Sequence, residues 1–227
     1  MSKLDPSSTE SFRRYLSWSK EDVFEFTPGV FADFSGIQLV TVKRKKCCVL
    51  VFGRGDGEDF ELKGFDIATR SVAALSDTLL CFVGVPHGKH EEIAKHFVDL
   101  GIPKHCHKVR RYLNNREDLK PLFCEVDLVL MPSRTDGFGL TGLELLSAVL
   151  PVIISKTQIL EKLWAVHYVA LYVALYLSLF EDPSDWRKAI KDIWDKDRKK
   201  QLEEVKDVRG SYSKEYSWSK QCKIKFY

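Results

Sequence analysis

Residues 126–144 constrain the fold of this chain more than any other stretch. Val126 to Met131 is a mostly apolar run of strand length, closed by the Pro132-Ser133 turn. Asp136 follows, then Gly137-Phe138-Gly139-Leu140, then a helical pattern that carries Glu144. A strand that turns through a short glycine loop into a helix leaves the first N–H groups of that helix unpaired, beside the positive end of its dipole. Such a loop receives anions and hydroxyls. Asp136 before it and Glu144 two turns in add acceptors for the hydroxyls of a sugar or a ribose. The combination suits a ligand that is both phosphorylated and rich in hydroxyls. A glycine loop alone can do no more than start a helix; here two acids and two flanking strands accompany it.

The rest of the pattern alternates in the same way. Strands are expected at Cys47–Phe52, Leu79–Val85, Lys108–Leu113, 126–131 and 151–155. Helices are expected at Asp66–Leu75, His90–Leu100, Arg116–Cys124 with Asn115 as cap, and 138–148. Buried strands separated by helices predict an α/β fold, a Rossmann-like parallel sheet with helices on both faces. Ligands of such sheets bind beyond the carboxyl ends of the strands. Gly53-Arg54, Val85-Pro86, Arg111-Tyr112-Leu113 and Ser133 to Gly139 all fall at those ends. Residues 1–26 read as a polar segment with one short helix at Ser8–Tyr15, 27–46 as a linker, 47–220 as the domain and 221–227 as a tail.

With 227 residues the chain can build one sizeable core. A net charge of +3 is too weak to imply nucleic acid or a membrane surface. The run Lys43-Arg44-Lys45-Lys46 reads as a solvated linker or edge. Six cysteines are present and none forms a C-x-x-C pair. His105-Cys106-His107 lacks a second ligand pair, so no metal is expected. No apolar signal segment opens the sequence. A reducing, cytoplasmic setting is the default that follows.

Residues 127–144 resemble the donor-site signature of retaining, family-4-like glycosyltransferases of the GT-B fold. That signature is an acid, Gly-Phe-Gly-Leu and a second acid eight positions after the first, here Asp136 and Glu144. The resemblance covers about residues 27–155 well and 181–220 more loosely, but not 156–180. It implies one half of a GT-B fold, the C-terminal half, which binds the nucleotide diphosphate sugar. Arg54 and Lys63 would grip the donor diphosphate without a metal or other cofactor. Asp136, Gly137, Phe138, Gly139 and Leu140 would face the transferred sugar, and Glu144 the ribose. Arg111, Tyr112 and Leu113 would line the base. Arg134 reads as a surface partner of Asp136 or Thr135. Tyr216-Ser217-Trp218 resembles the element with which the last helix of many relatives crosses back to the first half.

Three departures from that pattern stand out. Val149 occupies a position where the family usually has Gly, and a left-handed turn there costs a β-branched residue roughly 1 kcal/mol or more. Lys156 to Glu161 replaces a glycine-rich loop that touches the donor. Residues 163–180 carry no formal charge and repeat Val-Ala-Leu-Tyr. As one helix they would span about 27 Å, against roughly 30 Å for a bilayer core. Burial in the domain is nevertheless expected, because a membrane span would cut the sheet from its closing helices. The reading is a short helix first and then a strand, Leu175–Phe180, as the last of the sheet. Beyond it, Asp182 or Ser184 caps a helix with Trp186, Ile190 and Ile193 on one face, and a second helix runs from Arg198 to Arg209.

The leading functional expectation is therefore the nucleotide-sugar donor-binding half of a retaining glycosyltransferase, not fully active alone. Its partners would be the nucleotide sugar and a missing N-terminal half or partner chain, with a homo-oligomer as a further option. No catalytic group is assigned. The alternative is a catalytically inactive, glycosyltransferase-like interaction or sensing module, which Val149 and the 156–180 segment favour.

Overall fold

Strand and helix alternate along the chain as the hydrophobic pattern requires. The computed structural model describes residues 28–34, 36–113, 115–134, 140–155, 175–178 and 182–219. The expected helix at Ser8–Tyr15, the residues Asp136 to Gly139, the loop 156–161 and most of the 163–180 run lie outside them. The strands are β1 (Cys47–Phe52), β2 (Thr78–Val85), β3 (His107–Arg111), β4 (Leu128–Met131), β5 (Val152–Ser155) and β6 (Leu175–Ser178). The helices are α1 (Gly57–Leu62), α2 (Phe65–Ala73), α3 (His90–Asp99), α4 (Arg116–Glu125), α5 (Leu140–Ser147), α6 (Pro183–Trp194) and α7 (Arg198–Glu215).

All six strands pair in parallel, in the order β3-β2-β1-β4-β5-β6. Successive side chains of one strand enter opposite cores. Val49, Val51, Leu80, Phe82, Leu128, Leu130 and Ile153 pack with α2, α3 and α6 on one face. Leu50, Cys81, Val83, Val129, Val152 and Ile154 pack with α4, α5 and α7 on the other. Both faces are covered, which is why the central strands are apolar throughout instead of alternating with polar residues.

Several boundaries differ from the sequence expectation. Residues 55–62 contain the short helix α1, which the sequence pattern did not show and whose Phe60 is buried against Phe65 and Phe97. The helix expected over Arg198–Arg209 continues through Gly210 to Glu215 as α7. The cause is tertiary: Tyr212 is buried and its hydroxyl donates to the Pro28 carbonyl at 2.6 Å. That anchor outweighs the roughly 1 kcal/mol that glycine costs inside a helix. β6 is the expected last strand, paired with β5 from Val152↔Leu175 to Ser155↔Ser178. Asp182, not Ser184, caps α6, its carboxylate accepting from the Ser184 N–H at 2.8 Å. Asn115 stands at the N-cap of α4, but its side chain makes no capping bond.

The segment before β1 is packed against the body. Phe34 is 1% exposed and meets Phe123 of α4. The Phe31 N–H donates to Ser147 Oγ at 2.9 Å. The basic run is tied down rather than free. Lys43 lies over the Trp194 ring, and Arg44 donates to the Cys124 and Glu125 carbonyls at the end of α4. Among the described residues no helix is long and apolar enough to cross a membrane.

Candidate functional site

The strand order reverses between β1 and β4. From β1 the chain moves outward to β2 and β3, then returns to β4 on the other side. The loops at the carboxyl ends of β1 and β4 therefore leave in opposite directions and open a crevice between them. Three sequence-predicted groups lie on the segments that border it.

Arg54 follows β1 by two residues, is exposed, and lies beside Gly55, whose φ is +75°. Gly53 before it is tightly enclosed: a Cβ there would come within 2.0 Å of the Phe65 ring. The absence of a side chain lets the first helices fold directly over the end of β1. Lys63 sits in the turn between α1 and α2. The next residue, Gly64, has φ +66°, and a Cβ on it would meet the Pro132 carbonyl oxygen at 2.1 Å. Only glycine permits this approach. It seats the Lys63 turn on the end of β4.

Pro132 to Arg134 form the other wall. The Arg134 N–H donates to the Leu62 carbonyl at 2.9 Å. Its guanidinium donates to the Glu61 carbonyl and forks onto the Asp66 carboxylate, at 3.0 Å and 3.3 Å. Its partner among the described residues comes from 68 residues upstream, which local sequence does not reveal; the expected partners Thr135 and Asp136 lie outside the described residues. Ser133 is 2% exposed, and its carbonyl accepts from Ser155 Oγ of β5.

α5 begins at Leu140, which is half exposed, and antiparallel packing on a parallel sheet turns its N-terminus toward the same crevice. Glu144 is half-buried between Leu143 and Leu145, both fully buried. Asp136, Gly137, Phe138 and Gly139 lie outside the described residues, between Arg134 and Leu140, so no contact of theirs enters the geometry. The proposed base-lining residues stand at the sheet edge. Arg111 ends β3, Tyr112 is 68% exposed, and its N–H donates to the Val85 carbonyl. Two strand spacings, roughly 10 Å, separate β3 from β1. Leu113 is half-buried against the second core.

The other chemistry-bearing residues lie away from this crevice. Asp127 is 4% exposed at the amino end of β4, where its carboxylate accepts from the Cys48 N–H at 2.8 Å. Arg198 of α7, 6% exposed, donates to the Asp127 carbonyl at 2.8 Å and to Gln201 Oε1 at 2.6 Å. Burial lowers the Arg198 pKa from its ordinary value. His107, in the His105-Cys106-His107 run, has its Nδ1 on the Pro103 carbonyl, and burial shifts its pKa downward.

The family described as "Family 4 Glycosyltransferase in conflict systems" matches residues 6–224. No curated protein matches the chain in sequence. Among solved structures, WaaG, a glycosyltransferase involved in lipopolysaccharide biosynthesis, is similar with a TM-score of 0.67 and 20% identity, over 93% of this chain and 59% of that one. Anabaena HepE in complex with UDP and glucose gives 0.66 and 16%, over 93% and 57%. Sucrose-phosphate synthase from Thermosynechococcus elongatus gives 0.65 and 19%, over 96% and 54%. The chain thus spans little more than half the length of each. At these identities the likeness is one of fold.

Proposed function

Since the chain belongs to the family-4 glycosyltransferases in conflict systems, we propose that it binds a nucleotide diphosphate sugar as the donor half of a retaining glycosyltransferase. What supports this reading is that Arg54, the Lys63 turn and the start of α5 all belong to segments at the carboxyl ends of β1 and β4, where the strand order reverses. A departing diphosphate develops negative charge. Two cations and the unpaired N–H groups of a helix start are suited to receive it without a metal ion. In this proposal Arg54 and Lys63 hold the two phosphates. Asp136 and the 137–140 loop meet the sugar, and Glu144 accepts from the ribose hydroxyls. Arg111, Tyr112 and Leu113 flank the base at a distance that suits a nucleoside extended from the diphosphate.

That the similar HepE structure holds UDP and glucose supports uridine as the first nucleotide to try. The acceptor side would come from a second half or a partner chain, as suggested by the fraction of each relative that this chain spans. Full transfer by this half alone is not expected. The test is calorimetric titration with UDP, GDP, ADP and their sugar conjugates, with and without chelator. Binding that survives chelation is the expected result. Absence of heat at millimolar ligand for every nucleotide would overturn the proposal.

A further inference from the structure

We infer that Arg134 is a positioning residue: it locks the Lys63 turn to the end of β4 and so fixes where Lys63 stands at the crevice. The inference rests on the proposal that this crevice takes a nucleotide diphosphate. Arg134 reaches three features of the α1–α2 corner. Its N–H holds the Leu62 carbonyl at 2.9 Å, its guanidinium holds the Glu61 carbonyl, and the same fork holds Asp66. Lys63 lies between these anchors. Ser133 Oγ adds a bond to the Leu62 carbonyl at 3.5 Å, and Gly64 lies directly on Pro132.

The fork is half-buried, with side-chain exposures of 27% for Arg134 and 21% for Asp66. A planar guanidinium engaged in this way is committed by its geometry to orientation. Arg134 is also the last described residue before Asp136, so one side chain joins the turn that carries Lys63 to the strand end that leads into the glycine loop. Lysine could supply the charge at position 134 but not the fork or the carbonyl bond at the same time.

The test uses the whole chain with UDP and UMP as probes, because their affinity ratio isolates the second phosphate. Arg134→Met and Arg134→Lys should each lower UDP affinity about tenfold, the weight of one lost charge-assisted hydrogen bond, with UMP affinity little changed. Asp66→Asn separates positioning from simple charge. Removing a carboxylate near an anion site should tighten UDP if only the field mattered. If Arg134 works by orientation, Asp66→Asn weakens UDP as Arg134→Met does, and the double variant is no worse than either single one. Tighter UDP binding by Asp66→Asn, or an unchanged UDP/UMP ratio in Arg134→Met, overturns the inference. Hydrogen exchange at the amides of residues 62–66 reads the brace without ligand: Arg134→Met should accelerate it, and unchanged exchange sinks the brace. Should the natural chain bind no nucleotide while exchange responds, the nucleotide reading fails and the fastening stands.

Discussion

Val149 ends α5 in a conformation that a β-branched side chain resists. Its φ is +60°, and it stands alone among the described non-glycine residues in this region. The Leu150 N–H returns to the Leu145 carbonyl at 2.9 Å and the Val149 N–H to the Leu146 carbonyl at 3.0 Å. This double closure normally places glycine in the left-handed position, with an apolar contact alongside; here Leu145 and Leu150, both fully buried, supply that contact. The helix end therefore keeps its form at a cost in strain, so Val149 is no evidence of a lost ligand site. Val149→Gly should raise stability by about 1 kcal/mol, or about 2–4 °C in melting temperature, less whatever its half-buried packing contributes. A fall in melting temperature would show that packing of Val149 outweighs the strain. Glu144 tests the site at the same scale. Glu144→Ala should abolish nucleotide affinity while melting holds, since alanine suits a helix better than glutamate. A melting loss of many degrees with normal binding would make Glu144 a structural residue.

Helix α7 shows how an element can outlast its local signals. Gly210 has a helical backbone, and a Cβ added there would meet nothing within 4 Å. Gly210→Ala should thus stabilise the fold by about 0.5–1 kcal/mol, read as a shifted denaturation midpoint at constant slope. An unaltered midpoint would mean that α7 is frayed beyond Arg209. The extension past Gly210 depends on Tyr212 reaching Pro28, a contact between positions 184 apart, and no window of sequence contains it. The strands and most helices were legible because their periods, 2 and 3.6, are local properties of the chain. Arg54 after the end of a strand and Glu144 in the following helix stand where the local pattern put them, because strand ends and helix starts are themselves local features. Arg134 was not legible, because its partner Asp66 depends on the pairing of β1 with β4. The 163–180 run gave up its strand, 175–178, but its expected helix lies outside the described residues.

At the scale of the whole molecule, the candidate crevice and the buried polar cluster occupy opposite ends of the sheet. Cys47 and Cys48 open β1 beside the polar cluster and Cys81 lies midway along β2; burial is the main cause of their raised thiol pKa values, and that of Cys48 is pushed up to about 12. These thiols stay protonated in the fold while the same groups in the unfolded chain ionise near pH 9. Stability from them is therefore complete below pH 9 and declines as pH rises above it. At about pH 8 an alkylating reagent should leave Cys47, Cys48 and Cys81 unmodified until denaturant unfolds the sheet, as mass mapping would reveal. Prompt labelling of these three in the native protein would mean that the sheet opens locally. The two ends of the described body also meet. A Cβ on Gly29 would come within 2.6 Å of the Tyr216 carbonyl oxygen and 3.0 Å of the Trp218 ring. A short bridge across that junction, with a new opening at the exposed turn around Gly88, would produce a circular permutant with the same sheet and the same crevice.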